Sequence, residues 1–346
     1  MVMKKHSTIL LICLFASFFA SCEKAFFAEE IENTPSSNFD YLWNRVDREY
    51  AFFDVKNVDW DAVYSTYRPL IEDEMSDDSL FAVMAAMLNT LQDGHTNLFA
   101  PFSISHSDSI FYKKYGKSNI DKNLVMLNYL GSNMMTTGGF YHNTLRNGEV
   151  GYVYYPSFSN ETTDNNLIYI FDRYKNAKGI VFDIRQNGGG YIANLWILLR
   201  HFICDGRKLY ETQIKAGPSH NDFSPLETVH ASKTQNFQAW VKPFIILTDR
   251  GTYSASSFFS ICSQAYDNMI LVGDTTGGGL GLPNGGQIPN GWCYRFSITR
   301  NFALDGNNYE NGVPPQFTVL LDKDLVDNGI DNIIEFACDK ILEMNP

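Results

Sequence analysis

The chain has 346 residues, of which 45% are hydrophobic and 19% charged. This is a globular composition with material for one large or two ordinary domains. Its 27 basic and 39 acidic residues leave a formal net charge of -12. That argues against nucleic-acid binding, which needs concentrated Lys and Arg to displace counterions from phosphates, and against electrostatic attraction to an acidic membrane surface.

Met1-Val2-Met3-Lys4-Lys5-His6 is short and basic, and Thr8 to Phe19 is apolar but too short for a comfortable membrane span. Ala20, Ser21 and Cys22 follow. Basic, apolar, then small residues is the layout of an export signal, and a cysteine after two small residues resembles a lipobox in which Cys22 is lipidated. Residues 1–21 are thus read as a signal peptide and 22–37 as a lipid-anchored tether, with the protein in the cell envelope on the periplasmic face or outer membrane. The alternative is a plain secretory signal with an incidental cysteine. Cys204, Cys262, Cys293 and Cys338 are widely spaced and lack a C-x-x-C pairing, which argues against zinc. Their apolar or aromatic neighbours point to buried free thiols, although export would permit disulfides.

Residues 38–97 read as a helical subdomain. Phe39, Leu42, Trp43 and Val46 recur at helical spacing, as do Trp60, Val63, Tyr64 and Tyr67. A third run, Ser79 to Leu88, is rich in helix formers, with Asp77, Asp78 or Ser79 as its cap. It delivers the chain to Asp93-Gly94-His95-Thr96. Residues 98–147 are an irregular connecting segment, and 148–346 form the core. There, apolar strands at 179–184, 244–248 and 269–272 alternate with helical stretches at 192–202 and 254–265, which predicts a mostly parallel sheet covered on both faces.

Three features sit where chemistry would want them. Ser254 follows a buried strand and an Asp249-Arg250-Gly251 turn and opens a helix, whose free N–H groups can stabilise an oxyanion. Local context alone would make it a helix cap. Asp183-Ile184-Arg185-Gln186-Asn187-Gly188-Gly189-Gly190 closes another buried strand, where ligands bind in open α/β sheets. Its glycines let a substrate carbonyl approach backbone N–H groups, unless they only make a flexible turn. His95 lies in a turn after a helix and can act as a general base, or serve structurally as most lone histidines do.

Taken in chain order, Asp93-Gly94-His95-Thr96, then Asp183 to Gly190, then Thr252-Tyr253-Ser254-Ala255-Ser256, the three motifs resemble the C-terminal-processing (tail-specific) peptidase family and its tricorn-protease relatives, from about Phe39 to the C-terminus. The resemblance implies a crotonase-like α/β core of stacked ββα units behind a small helical subdomain. Many members use a Ser–Lys dyad with the lysine in Thr-Phe-Gly-Lys-Gly. Here the equivalent stretch is Thr276-Gly277-Gly278-Gly279-Leu280, so Gly279 takes the lysine position. The resemblance then points to the tricorn-like branch with a Ser–His–Glu site. It implies Ser254 as nucleophile, His95 as base and Glu310, in Tyr309-Glu310-Asn311-Gly312-Val313-Pro314-Pro315, as the group that orients the histidine. Asp93 is the local alternative to Glu310. Tricorn-type enzymes carry a serine before the histidine, where this chain has Gly94.

The expected reaction is peptide hydrolysis on a peptide or protein substrate through an acyl-enzyme, with no metal or cofactor. By analogy the oxyanion is held by Gly189 and Ala255, with Gly190 open because the register of the glycines is ambiguous. Relatives often insert a PDZ domain, but residues 101–147 offer roughly half of the length required, so none is expected. An inactive ligand-binding protein on the same fold and an esterase with the same groups are the alternatives.

Overall fold

The computed structural model describes residues 32–107, 118–233 and 237–344. The signal peptide, Cys22 and the tether up to residue 31 lie outside the described residues.

Helix α1 (Pro35–Glu49) starts where Thr34 accepts a hydrogen bond from Ser37 N and Pro35 supplies a preset φ at the first turn. It buries Phe39, Leu42 and Val46 on one face. Short α2 (Phe53–Lys56) stops at Asn57 in the left-handed region. Helix α3 (Trp60–Tyr67) is capped by Asp59, and α4 (Asp77–Asn89) by Ser76, one residue before the expected caps. These helices do not close a core alone. They pack on an antiparallel sheet of order β11 (Pro283–Gln287), β12 (Cys293–Ser297), β1 (Asn97–Ala100), β2 (Ser103–Ile104). Trp292, Tyr294 and Phe296 share one apolar cluster with Phe39, Leu42 and Trp60. Residues more than two hundred positions away thus complete the helical subdomain.

The main sheet has seven strands in the order β14 (Phe317–Thr318), β10 (Met269–Gly273), β9 (Phe244–Thr248), β6 (Gly179–Asp183), β5 (Val150–Tyr154), β4 (Phe140–Leu145), β3 (Met135–Thr137). It is parallel from β14 to β5 and antiparallel from β5 to β3. Both faces are covered, as continuous apolar strands require. Ile180 and Phe182 share a cluster with α5 (Asp164–Arg173), α6 (Ile192–Leu199) and α7 (Ala255–Ser263), while Val181 and Ile245 share another with α8 (Asn332–Met344). A third sheet, β13 (Thr299–Phe302), β7 (Lys208–Ile214), β8 (Glu227–His230), flanks α7.

This topology corrects the expectation of a crotonase-like stack of ββα units. Parallel neighbours β5 and β6 are joined through α5, and β9 and β10 through α7, so the recurring step is βαβ. The antiparallel pairing sits at one edge of the main sheet and in two separate sheets. The four body cysteines are free. Cys262 and Cys338 are buried, but Cys293 is exposed because β12 alternates outward and inward residues.

Candidate active site

The site lies beyond the C-terminal ends of β6 and β9, which are paired side by side. Two buried carboxylates hold the loops that follow them. Asp249 Oδ1 accepts from Gly251 N at 2.9 Å and Gln186 N at 2.8 Å, which ties the turn before Ser254 to the glycine loop. Asp183 pairs with fully buried Arg185 at 2.6 Å, and Arg185 reaches Asp331 at 2.9 Å, next to the start of α8. The acid and base of the Asp-Ile-Arg-Gln-Asn motif are therefore scaffold. Asn187 stitches the rest together. Its Oδ1 accepts from Gly189 N at 3.0 Å and its backbone O from Tyr253 N at 3.0 Å, while Nδ2 donates to Tyr155 O at 2.8 Å.

Ser254 stands at the entrance of α7 with φ 57° and ψ -123°, in a region where a non-glycine residue is rare and strained. Its side chain makes no capping bond. The helix-cap reading therefore fails: the hydroxyl instead meets His95 Nε2 at 3.0 Å. Gly189 packs directly behind it, since a Cβ there would lie 2.7 Å from Ser254 Cβ.

His95 is positioned by the turn after α4. Asp93 Oδ1 accepts from His95 N at 2.8 Å, and its Oδ2 accepts from Ser297 Oγ at 2.8 Å. Asp93 therefore holds the turn and bonds the histidine's backbone. Burial lowers the His95 pKa below its ordinary 6.5, Asp93 opposes this, and nearby Arg295 adds to it. A neutral imidazole is the form that can accept a proton from Ser254. The Tyr253 ring lies 5.1 Å from the His95 ring, centroid to centroid.

Glu310 is buried and near, but it is not engaged as expected. Its Oε2 accepts from Leu280 N at 2.7 Å and Gly281 N at 3.0 Å, and its Oε1 lies 3.6 Å from Lys56 Nζ. Among the described residues neither Glu310 Oε1 nor His95 Nδ1 has a hydrogen-bond partner, so the two are not bonded to each other. Burial raises the Glu310 carboxyl to about 7 against the pull of Lys56. Of the expected oxyanion donors, Gly189 N–H is already used on Asn187. Ala255 N–H opens α7, where no intrahelical acceptor exists. Gly190 lines the same cleft with φ 141°. That cleft has a volume of about 820 Å³ and exposes His95, Ser254, Gly188, Gly189, Gly190 and Ala255 together.

Known proteins extend this picture. The profile of peptidase family S41 matches residues 149–319, and that of the tricorn protease C1 domain matches 31–89. A crystal structure of a candidate peptidase from Parabacteroides merdae is 37% identical, covers 90% of this chain and 98% of its own, and superposes with a TM-score of 0.84. The chain belongs to peptidase family S41. It is thereby an enzyme of the serine-peptidase class. The carboxy-terminal processing proteases CtpA and CtpB of Bacillus subtilis (strain 168) are each 25% identical to this S41 chain over 51% of it. The match spans only 36% and 38% of those two relatives' lengths.

Two expectations change accordingly. The fold is that of the S41 and tricorn peptidases, with mixed sheets flanked by helices, and not a crotonase-like ββα fold. The assignment to a tricorn-like branch with a Ser–His–Glu site is also overturned. The processing proteases that the chain matches work with a Ser–Lys dyad, and the Glu310 carboxylate is spent on Leu280, Gly281 and Lys56. Sequence reasoning also missed the scaffold roles of Asn187 and Asp249. The signal was present, since each is a turn-forming polar residue in the loop that follows a buried strand.

Proposed function

We propose that this S41 chain hydrolyses peptide bonds in the manner of a C-terminal-processing peptidase, with Ser254 as the attacking residue and His95 as the group that takes its proton. The 3.0 Å contact between Ser254 Oγ and His95 Nε2, at a strained serine on the wall of the cleft, carries this reading. In the reaction Oγ attacks the peptide carbonyl carbon as its proton passes to Nε2. The Ala255 N–H faces the developing oxyanion, and Gly190 is the second candidate donor. Nε2 then protonates the leaving amine, and water hydrolyses the acyl-enzyme.

A second reading has a lysine as the base, as in the processing proteases. It is favoured by the family and by Lys56, the lysine among the described residues that lines the cleft. A fluorophosphonate probe and an internally quenched peptide library test both. Ser254→Ala should abolish labelling and turnover. His95→Ala should lower kcat by about 10²–10⁴-fold, the usual worth of a positioned acid–base group, while Lys56→Met should cost far less. The reverse pattern would transfer the base to the lysine. Absence of labelling in the folded wild type would leave a ligand-binding protein, and ester turnover without peptide turnover would leave an esterase.

The same reading places the protein in the cell envelope, anchored by lipid on Cys22. The basic, apolar and small residues of the first 22 positions support this. Mass spectrometry of the protein made in a bacterial host should find Cys22 acylated at a new N-terminus. An unmodified cysteine would remove the anchor.

A further inference from the structure

The chain carries a net charge of -12, yet the cleft around Ser254 has the opposite sign. Its described lining contains Lys56, Arg250 and Arg295 against one carboxylate, Glu310. Two of these cations are already matched. Lys56 lies 3.6 Å from Glu310, and Arg250 lies 3.7 Å from Asp274. Arg295 is different. Its Nε donates to Asn97 Oδ1 at 2.7 Å across the β1–β12 pair, and its guanidinium lies 5.6 Å from the Phe99 ring centroid. The side chain is exposed, and among the described residues its two terminal nitrogens make no hydrogen bond and no ion pair. Asn97 lies two residues beyond His95, so the fork is anchored beside the reacting groups, and its charge is felt at the His95 ring.

An anchored guanidinium with its terminal nitrogens unused is a carboxylate receptor, because planar forks bind carboxylates in two parallel hydrogen bonds. A cleft whose sign opposes that of the whole protein also concentrates anionic ligands. Resting on the peptidase reading above, we infer that Arg295 is a specificity-determining residue. It selects peptides that present a carboxylate near the scissile bond, either an acidic side chain or the free C-terminus.

The test pairs quenched peptides that differ only by Glu against Gln at successive positions, and peptides with a free acid against an amide C-terminus. For wild type, kcat/KM should favour the carboxylate member by about tenfold, the worth of one charge-assisted pair. Arg295→Gln should bring that ratio to about one, and Arg295→Lys, a point charge without the fork, should retain part of it. The Glu series and the acid/amide series separately identify the source of the carboxylate. Binding of the same peptides to Ser254→Ala protein, read by fluorescence anisotropy, should show the same ratio and the same dependence on Arg295. This readout survives even if no peptide is cleaved, so failure of the peptidase reading is distinguishable from failure of this one. Equal handling of acid and neutral peptides by wild type, or a ratio unchanged in Arg295→Gln, overturns the inference.

Discussion

Gly279→Lys installs the residue that the Ser–Lys relatives carry at the position Gly279 holds. The local structure argues that it cannot work here. Gly279 has φ +72°, and a Cβ on it would lie 2.3 Å from Cζ of Tyr253 and 2.6 Å from Cε1. An L-residue forced into left-handed backbone costs about 1–2 kcal/mol. Displacing a packed ring costs another ~1–3 kcal/mol, as overpacking does elsewhere. The sum, roughly 2–5 kcal/mol, is a large part of a typical stability of ~5–15 kcal/mol, so the variant should fold but be visibly weakened. Urea unfolding followed by tryptophan fluorescence measures this. Adding Tyr253→Ala should recover the ring's share but not the backbone's, giving a favourable coupling of about 1–3 kcal/mol in the double-mutant cycle. In a His95→Ala background the new lysine should restore no turnover. If Gly279→Lys is as stable as wild type, or revives His95→Ala, then the space beside Ser254 is open to a lysine and the argument from Tyr253 is wrong.

Glu310→Ala should cost about 2–6 kcal/mol, because it leaves the buried Leu280 and Gly281 N–H groups without an acceptor at ~1–3 kcal/mol each, while Glu310→Gln keeps an acceptor oxygen and should cost much less; chemical denaturation compares the two. Glu310 also sets a pH dependence. Its folded pKa of about 7 lies above the ordinary 4.5, so the folded state binds the extra proton in that window. Its contribution is present below 4.5 and is lost as pH rises towards 7, and melting curves of Glu310→Gln should lack this slope. Arg185→Met should destabilise by about 3–5 kcal/mol, since it leaves Asp183 and Asp331 buried without their counter-charge; a loss under 1 kcal/mol in urea would contradict the scaffold role. Because burial lowers the His95 pKa, the acid limb of kcat/KM should fall below pH 6.5, and a limb above that value would count against His95 as base.

How much of this was legible in the sequence depended on range. The strands at 179–183, 244–248 and 269–273 were readable because a strand buried on both faces is a continuous apolar run, a purely local signal. The βαβ step was less so, since the order of strands in a sheet is not written in any one of them. The pairing of Asn97 with Arg295 was illegible. Nothing local ties Trp292 and Tyr294 to Phe39 and Leu42, whose core they complete.

The site divides the same way, and the division follows from how tightly each residue is constrained. Ser254 and Gly189 require one another: the serine's strained backbone places its Cβ where only a glycine fits opposite, so a mark of each survives in the sequence as an ordered pair of motifs. Glu310 is under no such constraint. Its backbone is held in place, where its O accepts from Gly279 N at 3.1 Å, but its carboxylate is turned to the Leu280 and Gly281 amides and to Lys56 rather than bonded to His95. Two free N–H groups in a buried turn are the stronger claim on a carboxylate, because leaving both unpaired costs more than leaving one neutral imidazole nitrogen without a donor's target. A motif can place a residue at the site; the unpaired backbone groups around it determine what its side chain does there.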